Sequence, residues 1–145
     1  MCIRDSTYTW NVLIDMWVST SPNPTYYPAN ESMGKTTEIG INLQRTWGEN
    51  DPVVDTVTID GYQWFVGTLP STTKPGVMAV VGFRPSGVGP SPLNKASLHM
   101  KPFFDYIIAK GWIPSTSYLT SVEFGTETVK GAETFNLKSY SVTLN

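Results

Sequence analysis

Residues 54–67 read VDTVTIDGYQWFVG, and the fold turns on how this stretch is read. Val57 and Ile59 fall on one side of an alternating run, with Thr56, Thr58 and Asp60 on the other. Asp60-Gly61 supplies the two positive-φ positions of a type I′ turn, and aromatic and β-branched residues resume past it. The stretch predicts a two-residue β-hairpin.

Outward from that hairpin the same rhythm repeats. SPNP at 21–24, GENDP at 48–52, PSTTKPG at 70–76, PSGVGPSP at 85–92 and KGAE at 130–133 punctuate the chain. Between them lie runs of about six to twelve residues rich in Val, Ile, Thr, Tyr, Phe and Trp. This spacing predicts an all-β chain, a jelly-roll β-sandwich of two antiparallel sheets. One helix interrupts the series: Met100, Phe103, Phe104, Ile107 and Ile108 share a face, Lys101, Asp105 and Lys110 take the opposite one, and Gly111 ends it. Pro102 fits in its first turn. The helix is expected to pack across the convex face of one sheet as structural support.

With 145 residues the chain is one domain's worth. A net charge of -2 with 15% charged residues leaves no basic face for a phosphate backbone, so nucleic acid is excluded as a partner. No apolar run is long enough for a membrane span. Cys2 is the only cysteine, which rules out an internal disulfide and a thiolate metal cluster. His99 is the only histidine and lies in KASLHMKPF, which holds neither a nucleophile elbow nor a ligand spacing. It reads as a surface residue at the start of the helix, and no metal or cofactor is expected. Aromatics form 12% of the chain, with five Trp and seven Tyr, more than a small core needs and suited to stacking on sugar rings.

The first six residues, MCIRDS, join no later pattern and read as translated adapter sequence. Residues 1–6 are therefore expected to be a non-native prefix and residues 7–145 the domain, without its N-terminal strands and without any secretion signal that preceded them. Asn30-Glu31-Ser32 has the form of a glycosylation sequon.

The chemistry is in the carboxylates. In TTEIGINLQ, Ile39, Ile41 and Leu43 fall together as the core side, so Glu38, Gly40, Asn42 and Gln44 share the other face. A glycine inside a strand weakens it and marks close approach of a ligand. In SVEFGTETV, Ser121, Glu123, Gly125 and Glu127 share one face, and alternation does not choose between the two glutamates. Asp15 sits in the apolar run NVLIDMWVS, where a buried carboxylate needs a hydrogen-bond partner. Two glutamates on neighbouring strands with an aspartate beside them are the parts of a glycoside hydrolase site. The bland reading of each acid is a solvated outer face.

TEIGINL, VEFGTETVKG and the closing FNLKSYSVTLN resemble glycoside hydrolase family 12, the small jelly-roll endoglucanases and xyloglucanases. The resemblance runs from about Asn11 to Asn145 and includes Ile14-Asp15-Met16-Trp17, similar to the family's Tyr-Asp-(Leu/Met)-Trp strand, and LHMKPFFDYI, similar to its helix. It implies Glu38 as nucleophile, Glu127 as acid/base and Asp15 as the carboxylate that orients the nucleophile, with Glu123 lining the cleft. Gly40 and Asn42 depart from the family's Met and Trp on the groove face, which widens the floor. The N-terminal Trp that the family uses to stack on a distal sugar has no counterpart.

The resemblance implies a retaining endo-acting enzyme on β-1,4-glucan, with Trp17, Asn42, Trp47, Glu123 and Trp64 as substrate-binding residues. Trp64, in the hairpin, is equally suited to the core. Double displacement requires the two carboxyls roughly 5 to 5.5 Å apart, with partial burial keeping a proton on Glu127. The alternative is a non-catalytic carbohydrate-binding jelly-roll fragment. The implied partner is a β-glucan polysaccharide met by a monomer outside the cell, since such polymers do not enter cells.

Overall fold

The structure, a computed structural model, describes residues 9–22, 36–45, 52–70, 78–86, 93, 95–130, 134 and 136–143. Strand β1 spans Thr9–Ser19, β2 Thr36–Arg45, β3 Asp55–Ile59, β4 Tyr62–Pro70, β5 Met78–Pro85 and β6 Tyr118–Lys130, with helix α1 at Met100–Ala109 between β5 and β6. Among the described residues the strands form one six-stranded sheet in the order β3-β4-β5-β2-β1-β6. Trp47 and the MCIRDS prefix lie outside the described residues.

The hairpin at 54–67 forms as its sequence predicts. Asp60 has φ 53° and Gly61 φ 79°, which places both in the left-handed region that a type I′ turn needs. β5 extends the hairpin to a meander through antiparallel pairing with β4. The other edge is also antiparallel, β2 to β1 and β1 to β6, but the two blocks meet along a parallel seam in which Glu38 faces Val80 and Gly40 faces Gly82. That seam departs from an all-antiparallel sheet. It arises because β3 and β4 intervene before β5 returns beside β2 in the same direction.

Alternation sends one face of every central strand inward. Met16, Ile39, Ile41, Trp64, Val66, Val81 and Phe83 are fully buried there, and α1 covers them with Phe103 and Ile107. The contact is aromatic: Phe103 meets Phe83 edge to face at 4.9 Å and Trp64 at 5.5 Å. Each such side chain removed from water contributes about 1.5 to 3 kcal/mol. Trp64 donates its indole N–H to the carbonyl of Ile59 at 3.2 Å, so the ring is buried with its polar edge satisfied.

α1 is held at both ends by the meander. Asp60, at the hairpin turn, accepts the backbone N–H of His99 at 2.5 Å and faces its Nδ1 at 3.0 Å, which replaces a side-chain cap at the helix start. At the far end Gly111 takes φ 71°, its N–H reaching the carbonyl of Ile108 at 2.8 Å. Asp55 accepts the Tyr106 hydroxyl at 2.8 Å and pairs with Lys110. Lys110, then the backbone N–H of Thr56 at 2.7 Å, then Tyr106 hold the Asp55 carboxyl down near 2. α1 thus sits on the face opposite to the acids, as support.

Candidate active site

The face away from α1 gathers the polar residues that parity predicts. β1 contributes Asn11, Leu13, Asp15 and Trp17; β2 contributes Glu38, Gly40 and Asn42; β6 contributes Ser121, Glu123, Gly125 and Glu127. On β5 and β4 the face continues with Arg84, whose guanidinium lies 5.3 Å from the centre of the Phe65 ring.

Register, which alternation does not reveal, decides how these residues meet. Asp15 is level with Gly40 on one side and Glu123 on the other, while Trp17 is level with Glu38 and Ser121. Glu123 therefore stands two residues along β1 from the level of Glu38, about 7 Å of strand. Glu127 is level with Asn11, six residues from Trp17, about 20 Å of strand from the level of Glu38. The structure brings Asp15, Glu123 and Glu38 to neighbouring levels and sets Glu127 further along the same face.

Asp15 is the electrostatic centre. It is half-buried, and burial pushes its carboxyl up from the ordinary 3.8 to about 6. The Trp17 indole, donating to Oδ2 at 3.3 Å, works against that rise, while the charges of Glu123 and then Glu127 add to it. Its other oxygen, Oδ1, is buried and has no hydrogen-bond partner among the described residues, and neither has the Oγ of Ser121 one level along. Unsatisfied polar atoms of this kind are costly and concentrate at functional sites.

Glu38 is half-buried, whereas Glu123 and Glu127 are exposed. Among the proposed sugar contacts, Trp17 is half-buried beside Glu38, and Asn42 is half-buried with its amide 3.5 Å from the carbonyl of Phe83. Trp64 corrects the expectation of a sugar platform: it is fully buried on the opposite face against Phe103, out of reach of any ligand in the groove. It shares that face with Val66, two residues along β4 and also fully buried. His99 is exposed at the start of α1 with Asp60, away from the acids. No group of His, Cys, Asp and Glu among the described residues is arranged to hold a metal ion, and no described helix is long and apolar enough to cross a membrane.

Two residues of this face escaped sequence reasoning as participants. Asn11, 2% exposed, hydrogen-bonds Glu127 twice. Its signal was an amide in the apolar run WNVLI, in phase with Asp15. Ser121 gave no signal beyond parity.

The model of glycosyl hydrolase family 12 matches residues 2–145. Endoglucanase S of Pectobacterium parmentieri is 30% identical, with 94% of this chain and 50% of that protein covered. A family 12 xyloglucanase from Bacillus licheniformis, solved in complex with ligand, is 29% identical with a TM-score of 0.65 over 85% of this chain and 50% of that one. Trichoderma harzianum endoglucanase 3 is also 29% identical, with a TM-score of 0.64 over 87% and 51%. The chain spans about half the length of the relatives it matches.

Proposed function

Because the chain belongs to glycosyl hydrolase family 12, we propose that its acidic face hydrolyses β-1,4-glucan internally, with retention, by double displacement. Glu38 attacks the anomeric carbon, Glu127 gives a proton to the leaving oxygen and later takes one from water, and Asp15 orients Glu38. Trp17, Asn42 and Trp47 contact the sugar. The observation that carries this reading is the common face: three neighbouring strands present Glu38, Asp15, Glu123 and Glu127 to one side of the sheet while their alternate residues build the core. The substrate is cellulose, mixed-linkage glucan or xyloglucan, met outside the cell by a monomer.

Register supports a second assignment of the proton donor. A retaining mechanism needs carboxyls roughly 5 to 5.5 Å apart, and Glu123, level with Asp15, lies nearer the level of Glu38 than Glu127 does. In that reading Glu123 gives the proton and Glu127 lines the groove further along.

Reducing-sugar release from carboxymethylcellulose, mixed-linkage β-glucan and xyloglucan tests both. Glu38→Gln and Glu127→Gln are expected to abolish turnover, while Glu123→Gln keeps it. An inactive Glu123→Gln beside an active Glu127→Gln moves the acid to Glu123. An inactive unaltered chain that is still retarded in a gel containing the polysaccharide makes the face a binding surface alone.

A further inference from the structure

Asn11 is a buried amide that grips a single residue at two points. Its Nδ2 donates to Glu127 Oε2 at 2.7 Å, and its Oδ1 accepts the backbone N–H of Glu127 at 3.0 Å. Glu127 itself is exposed on the edge strand, next to the irregularity where the β1/β6 register shifts between Thr9 and Trp10. An exposed glutamate on an edge samples several rotamers. Asn11, packed in β1 between β2 and β6, is the fixed point to which this one is tied.

The two bonds have separable purposes. Patching a distorted ladder needs only an acceptor for the Glu127 N–H, since a buried or half-buried backbone donor requires a partner. The bond to the carboxyl does nothing for the ladder; it sets where that carboxyl stands. We infer that Asn11 is a positioning residue that aims the Glu127 carboxyl over the acidic face, which rests on the reading in which Glu127 is the proton donor. Among the described residues, the charged groups nearest the pair in register are Asp15 on β1, Arg45 on β2 level with Asn11, and Glu123 and Lys130 on β6.

Asn11→Asp separates the two bonds, because it keeps an acceptor for the backbone N–H and replaces the amide donor with an oxygen that cannot donate to Glu127 Oε2. Asn11→Ala removes both. Both variants of the full chain are expected to lose kcat on mixed-linkage β-glucan by about ten- to one-hundred-fold, with KM changed by less than about two-fold, as for a catalytic group that is present but misaimed. In Asn11→Asp the high-pH limb of the kcat profile is expected to move to higher pH, because a neighbouring carboxylate makes loss of the Glu127 proton harder. Circular dichroism and thermal unfolding report whether the fold is kept.

Wild-type kcat and pH profile in a folded Asn11→Asp overturn the inference, and so does failure of that variant to fold, since structural need would then account for the amide. Glu127→Gln tells the role of Asn11 apart from that of Glu127. If Glu127→Gln is inactive while Asn11→Asp behaves as the unaltered chain, only the inference falls. Full turnover by Glu127→Gln, or none by the unaltered chain, defeats the proton-donor reading and the inference with it.

Discussion

Under α1, Trp64, Phe83 and Phe103 are fully buried and meet edge to face, while at the β6 edge Val122 is 39% exposed and both glutamates face solvent. The first region joins five strands and a helix through apolar contact, with Asp60 and Asp55 clamping the helix ends. The second is joined through one antiparallel pairing, β1 with β6, and polar side chains tie it across that pairing: Asn11 to Glu127, Trp17 to Asp15 within β1, and Thr120 to the carbonyl of Trp17 at 2.9 Å. Stability is concentrated under the helix and is thinner at the acids. The helix side supplies a rigid floor, and the acid side tolerates a half-buried carboxylate with an unsatisfied oxygen, a feature that no packed core would accept.

The comparison breaks most easily at Phe103. Phe103→Ala leaves a hole against both Phe83 and Trp64, and is expected to cost about 3 to 5 kcal/mol in denaturant unfolding. Glu127→Gln, on the exposed edge, is expected to change unfolding by no more than about 0.5 kcal/mol while acting on turnover. If the two substitutions cost alike, the division between a supporting half and a working half is wrong.

How much of this was legible in the sequence follows the same division. The hairpin turn at Asp60-Gly61, the helix from Met100 to its stop at Gly111, and the inward set Ile39, Ile41 and Leu43 are local patterns, and each appears where its period places it. The common face of Asp15, Glu38, Glu123 and Glu127 was equally legible, because face depends only on parity. Level does not. Whether Glu123 or Glu127 stands opposite Asp15 depends on strand pairing and on irregularities at Thr9/Trp10 and Trp17/Val18, which are set by contacts between segments more than 100 residues apart. The parallel β2/β5 seam is non-local for the same reason. Trp64 shows a legible residue read two ways: as an aromatic it suited a sugar, but its phase with Val66 put it in the core.

A smaller effect sharpens the acid side through pH. Asp15 is raised to about 6 in the folded chain against 3.8 when unfolded, mainly by burial, so the folded state holds its proton more tightly. Its ionisation weakens the fold progressively as pH rises from about 4 to 6 and fully above that, whereas below about 4 both states are protonated and the contribution vanishes. For a half-exposed group the penalty is about 1 to 2 kcal/mol after solvent screening. Asp15→Asn, which cannot ionise, is therefore expected to be more stable than the parent at pH 7 and equal to it near pH 3.5, as measured by thermal unfolding at the two values. A variant less stable at pH 7 would mean that the charge of Asp15 is compensated by a partner, and that the acid side is packed more like the helix side.

The smallest effect separates a glycine kept for the fold from one kept for the groove. Gly40, level with Asp15 and Gly82, has no positive φ, and a Cβ built on it would meet only Asn42 Nδ2 and Leu13 Cδ1, each at the ordinary contact distance of 3.8 Å. Nothing in the strand demands glycine there, and glycine inside a strand costs roughly 0.5 to 1 kcal/mol relative to alanine. Gly40→Ala is accordingly expected to raise unfolding stability by a few tenths up to about 1 kcal/mol. If the same variant also loses turnover or retention on the polysaccharide, the bare backbone at 40 is there for a ligand that approaches the sheet closely. A substitution that instead destabilises by more than about 1 kcal/mol would show the groove face at β2 to be close-packed, and the contrast between the two faces of the sheet would then end one strand short of the acids.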